Sequence, residues 1–173
     1  MAGTAAACDS VNRLMGRLAW GLALLLVVMQ FSIVLLRYVF GTTLIVMQEG
    51  VLYLHAALFV FAAGYTLLHE GHVRVDIFYS QASPRTQAII NLAGVVLLLV
   101  PTCLFIIFFS WSYVARSWAI LEGPLLPGGI RAVYLLKSLI PLFGVLFLIQ
   151  GLSLALKSVI VLRGGTPTDE AAP

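Results

Sequence analysis

The sequence predicts an all-α membrane protein. Four transmembrane helices, a short interfacial helix between spans two and three, and an N-in/C-in orientation are expected. Three observations lead there. The 173 residues are 61% hydrophobic and only 10% charged, where a soluble domain carries about 25% charged residues. The mean hydropathy is +1.05, which is more apolar surface than a soluble fold of this length can bury. The apolar residues also fall into four runs long enough to cross hydrocarbon, which takes about 20 residues of helix. Barrel strands would alternate over about ten residues, whereas these runs are continuous.

The first dozen residues are small and polar and read as a flexible tail. A membrane domain is expected over about 13–163, with spans at about 18–40, 47–69, 87–115 and 132–162. Arg13 and Arg17 precede span one in the manner of a signal peptide. The apolar run is too long for a signal core, however, and no Ala-x-Ala site follows, so the span is expected to be retained. Spans three and four contain Pro101 and Pro141, which can be tolerated where neighbouring helices satisfy the freed carbonyls. They are long enough to tilt or to project from the bilayer. The polar, small-residue stretch at 164–173 reads as a disordered tail.

Four spans place both termini on one side. With that side cytoplasmic, Arg13, Arg17, Arg74, Arg85, Lys157 and Arg163 lie inside and Arg37, Arg116, Arg131 and Lys137 outside. The bias is weak but has the sign of the positive-inside rule. The net charge of +3 comes from scattered residues, so there is no basic patch to suggest nucleic acid. Cys8 and Cys103 lie far apart and form neither a disulfide nor a metal-site pattern.

In so apolar a chain each polar group needs a reason. Arg37 closes span one and Glu49 opens span two across a short turn, which suggests an ion pair at similar depth; independent snorkelling is the plainer alternative. Between spans two and three lies His69-Glu70-Gly71-His72-Val73-Arg74-Val75-Asp76. Asp76 could cap a short helix starting at Ile77 and stopping before Pro84, lying in the headgroup plane. A solvated loop is the simpler reading on composition. Gly64, with Ala56, Ala62 and Ala63, offers a small-residue face for close helix packing. Trp111, Tyr113, Trp118 and Tyr134 form an interfacial aromatic set, and Glu122 could pair with Arg116 or Arg131 in the same loop. His55 and His69 share a helix face at the spacing of stacked haem ligands, but a bis-His site needs a second ligand from a facing helix, and His72 is the one histidine left. Structural histidines fit better, and no cofactor is expected.

No span carries a mid-membrane Asp, Glu, Lys or Arg of the kind a proton- or cation-coupled carrier uses. There is also no phosphate loop, nucleophile constellation or metal cluster. The chain reads as a membrane partner, without an enzymatic role.

These motifs, in order, resemble a family. Arg37-Tyr38-Val39-Phe40-Gly41 closes span one and Gln48-Glu49 opens span two. Gly64-Tyr65 precedes His72-Val73-Arg74-Val75-Asp76, and Ser83-Pro84-Arg85 leads into span three. Lys137-Ser138-Leu139-Ile140-Pro141 opens span four, with Gln150-Gly151 inside it. The set is similar to the small membrane subunit, the Q component, of tripartite ATP-independent periplasmic (TRAP) transporters, over nearly the whole chain. One departure is Val46-Met47-Gln48-Glu49, where the family often has a Trp and two acids. The resemblance implies a multi-pass protein of the bacterial inner membrane. Its partners would be a large many-span permease subunit, a periplasmic substrate-binding protein met transiently, and lipid. The large subunit would hold the sodium and substrate sites and move as an elevator, taking up an organic acid or similar solute. The small one would brace its immobile part. Arg37, Glu49, Gly64, His72, Arg74, Asp76, Lys137 and Pro141 would be structural or interface residues, with His72, Arg74 and Asp76 tying span two to the interfacial helix. A haem-binding or other electron-transfer anchor is the alternative reading, and a small self-assembling exporter a third.

Overall fold

The computed structural model describes residues 2–69, 79, 82–124 and 127–164. Among these the chain is helical, without strands. Helix α1 is Ala2–Val39 and α2 is Ile45–Leu68. Helix α3 runs over Pro84–Ala119 and α4 over Val133–Leu162. All four are long and apolar enough to cross a membrane.

Helix α4 is the hub. It packs on α1, α2 and α3, and α1 packs on α2, while α3 makes no extensive contact with α1 or α2 among the described residues. Burial follows from this arrangement: 28% of the most apolar stretch of α4 is buried, against 6%, 6% and 11% for α1, α2 and α3. Most of the apolar surface therefore faces outward, as bilayer or a protein partner permits. Because α2 and α3 stand apart, an open apolar groove of about 650 Å³ lies between them over α4.

The close approaches are made by glycines. A Cβ on Gly16 would overlap the ring of Tyr65, and one on Gly64 would overlap the Asn12 amide. A Cβ on Gly144 would stand 2.9 Å from Ile107, and one on Gly151 2.7 Å from Leu99. Small residues let backbones meet in lipid, where packing has no help from water.

Local chemistry explains the helix ends. Ser83 caps α3, its hydroxyl accepting from the Thr86 N–H at 3.2 Å, and Pro84 takes the first turn, where no N–H is needed. At the end of α1, Gly41 adopts φ 65°, and the Thr42 N–H reaches back to the Leu36 carbonyl at 3.1 Å. Pro101 resolves into a defined feature. The turn before it, Val95–Leu99, is π-helical, with the Val100 N–H bonded to the Val95 carbonyl. Proline has no N–H and crowds the preceding turn, and widening that turn by one residue accommodates it. Pro141 sits inside α4, which continues through it as helix.

The structure departs from the sequence expectation at the N-terminus. Residues 2–12, expected as tail, are the first turns of α1. Ala5, Asp9, Asn12, Gly16 and Ala19 are buried in alternating steps of four and three, the spacing of a helix–helix seam. Low hydropathy concealed a seam of small and polar residues. Most of the helix proposed to start at Ile77, and with it His72, Arg74 and Asp76, lies outside the described residues, as does 165–173. Near that segment, Gln87 Nε2 donates to the Tyr79 carbonyl at 3.0 Å, and Asn91 Nδ2 to the Tyr79 hydroxyl at 2.8 Å.

Candidate functional site

Two polar clusters stand out from the apolar bulk, one near each end of α4. The first joins α1 to α4. The Lys157 ammonium lies 2.8 Å from Asp9 Oδ2, while Ser153 Oγ and Gln150 Nε2 donate to Asp9 Oδ1 at 2.6 and 3.3 Å. Asn12 Nδ2 donates to Gln150 Oε1 at 2.9 Å. Asn12 and Ser153 are fully buried, and Gln150 and Asp9 are 3% and 5% exposed. Asn12 Oδ1 has no hydrogen-bond partner among the described residues and faces Gly64 of α2, so three helices meet at one asparagine. A buried carboxylate is tolerable only with its charge matched and its oxygens bonded, and Asp9 meets both conditions.

The second cluster lies around the α3–α4 loop. Glu49 Oε2 accepts the Ile130 N–H at 2.6 Å, and its carboxylate fills the space beside Gly129. Lys137 pairs with Glu122, and its Nζ stands 3.9 Å over the Tyr113 ring. The Glu122 N–H reaches the Ser117 carbonyl at 3.0 Å, and the Glu122 carbonyl accepts from Val133 at 3.2 Å. The bond from Lys137 holds the Glu122 carboxyl below the ordinary glutamate value. Trp118 Nε1 donates to Ser138 Oγ at 2.8 Å, its ring edge-on to Tyr134 at 4.6 Å. This cluster closes α3 onto α4.

The proposed site residues can now be placed. Arg37 and Glu49 form no ion pair among the described residues, and the register shows why. Met29 of α1 packs beside Gly50 of α2, and Arg37 lies eight residues beyond Met29, a rise of about 12 Å. Arg37 overshoots Glu49 and stays exposed, and Glu49 turns to the loop. Glu122 chooses Lys137 over Arg116 and Arg131; Arg116 folds back onto the Ser112 carbonyl at 3.2 Å. Gly64 sits at the α1–α2 crossing and is buried. Asp9, Asn12, Ser153 and Lys157 were missed as a set. The signal was present: Gln150, Ser153 and Lys157 are spaced by three and four, on one face of α4.

Among the described residues no group of three or more His, Cys, Asp or Glu could hold a metal ion. The His55 ring packs on Phe59 at 4.7 Å, and His69 on Tyr65 at 4.1 Å. Both polar clusters spend their side chains on joining helices and loops of this chain.

The family model described as the DctQ component of tripartite ATP-independent periplasmic transporters matches residues 11–160. The chain belongs to this family. No curated protein and no solved structure matches it. The DctQ component is the small permease subunit of TRAP transporters, a transporter component and a multi-pass membrane protein. It works with a large permease and a binding protein. The matched residues take in the α1–α2 hairpin, the α3–α4 closure, and Asn12, Gln150, Ser153 and Lys157 of the polar network. An electron-transfer anchor finds no support in this family or in the two histidine environments.

Proposed function

We propose that this DctQ component is the scaffold subunit of a sodium-coupled, binding-protein-dependent uptake system for an organic acid or similar small solute. In this reading it braces the immobile part of a large elevator-type permease subunit in the bacterial inner membrane, with both of its own termini cytoplasmic. The observation that carries the reading is where the polar side chains go. Asp9, Gln150, Ser153, Glu49, Glu122 and Lys137 are each spent on another helix or loop of this chain. A translocation path needs polar groups facing a substrate or ion, whereas a brace needs rigid helices and an apolar exterior. The exterior is of that kind: Trp20, Leu24, Phe31, Phe105, Phe108 and Trp111 are between 60% and 76% exposed.

Within this proposal Gly64, Glu49, Lys137 and Pro141 keep the brace rigid. Arg37, exposed above Glu49, remains free for the permease, and His72, Arg74 and Asp76 secure the corner after α2. The chain itself catalyses nothing. The test is uptake by purified permease and binding protein in proteoliposomes, under a sodium gradient, with and without this chain. Uptake and stable co-purification that both require the chain support the brace. Transport by the chain alone, or full uptake without it, would refute it. Labelling Cys8 from one side of the membrane at a time decides the orientation; labelling from the periplasmic side contradicts N-in.

A further inference from the structure

The network around Asp9 joins the first helix to the last. Asn12 and Gln150 are separated by 138 positions, and Asp9 and Ser153 by 144. Further along α1 the contacts are with α2, through Tyr65 on Gly16 and Met29 beside Gly50. Those contacts can form as a hairpin without α4. The first turns of α1 are different. Their buried face is Ala5, Asp9 and Asn12, which offers almost no apolar area to drive docking. Asn12 also packs against Gly64 of α2, but the hydrogen-bond and charge partners described for Asp9 and Asn12 on other helices come from α4: Gln150, Ser153 and Lys157. Without α4, Asp9 and Asn12 would have none of these partners, and a carboxylate that loses its charge partner does not stay buried.

We infer that Asp9, Asn12, Gln150, Ser153 and Lys157 form a completion latch, in which the N-terminal turns of α1 stay undocked until α4 is in place and then lock onto it. A docked N-terminus is thereby a mark of the finished four-helix chain, and an undocked one exposes a charged, unsatisfied segment that distinguishes an unfinished chain. The device separates specificity from hydrophobicity: an apolar seam would accept any membrane helix, whereas this one accepts a helix presenting an amide, a hydroxyl and an ammonium at the right spacing.

The chain carries its own probe. Cys8 adjoins Asp9 and is half-buried, while Cys103 is buried in α3. The experiment follows alkylation of Cys8 by a water-soluble maleimide in the full-length chain carrying Cys103→Ala, comparing Asp9→Asn, Lys157→Met and the exchange D9K/K157D. Each single variant is expected to label about tenfold faster or more, the factor that corresponds to 1.4 kcal/mol of lost docking, and the exchange to recover most of the protection. Labelling of both single variants at the unsubstituted rate overturns the latch, as does an exchange that labels as fast as they do. If a single variant yields no folded chain by circular dichroism, the folded yield replaces the labelling rate as the readout. Recovery by the exchange then supports the latch, and no recovery overturns it.

Discussion

Asn12 of α1 and Gly64 of α2 share one space: the Asn12 amide occupies the position a Cβ on Gly64 would take. Gly64→Ala therefore cannot be accepted without moving a fully buried side chain that is itself bonded to Gln150. The expected loss is about 1–3 kcal/mol, the usual range for overpacking, read as a lower midpoint of thermal unfolding in detergent. Adding Asn12→Ala to the same chain should recover part of it. Strictly additive losses would show that the two sites do not touch.

Glu49 and Arg37 should behave as unrelated residues in the isolated chain. Glu49→Ala removes the acceptor of the Ile130 N–H, a bond to a charged group worth about 1.5–3 kcal/mol, and should loosen the α3–α4 loop. Arg37→Ala should change stability by less than about 0.5 kcal/mol, as for other surface positions. Equal losses in the two variants, with coupling in the double mutant, would restore the ion pair that the sequence suggested.

Glu122 gives the α3–α4 closure a pH dependence whose sign is determined. Its folded value lies below the ordinary glutamate value of 4.5 because Lys137 donates to it. A group depressed on folding stabilises above its unfolded value, and that stability is lost as pH falls through the folded value. Unfolding midpoints should thus hold steady from neutral pH down to that ordinary value and fall below it, and Glu122→Gln should flatten the acid limb. An acid limb unchanged in Glu122→Gln would assign the loss to another carboxylate.

Gly144 marks a close crossing of α3 on α4 at which a backbone atom is involved. A Cβ there would meet Ile107 at 2.9 Å and the Cys103 carbonyl at 3.2 Å, and the backbone oxygen cannot swing away. Gly144→Val should separate the helices at a cost of about 1–3 kcal/mol and raise the alkylation of Cys103, which is 3% exposed. Cys103 remaining unreactive at an unchanged unfolding midpoint would mean the crossing yields more easily than its geometry states.

Much of this molecule was legible without coordinates. Four helices follow from four long apolar runs, because hydrocarbon leaves the backbone no other open-ended solution. The packing glycine at 64 and the tryptophan at 118 are local signals, and each has a local consequence. Family membership was legible from motif order. The N-terminal helix was not, since eleven small and polar residues look like tail when averaged. Pro101 is visible inside span three, but the widening of the turn before it depends on how the backbone absorbs the ring.

The sequence alone determined that the chain lives in a membrane, that four long apolar helices are found among the described residues, and to which family it belongs. These properties depend on composition, run length and local order. The tertiary structure alone decided which charges meet. Arg37 and Glu49 are close in sequence yet parted by the register of α1 on α2, while Asp9 and Lys157 are paired across the length of the chain. Register is set by where glycine lets one backbone approach another, and a shift of eight residues moves a charge about 12 Å along a helix, farther than any side chain reaches to close an ion pair.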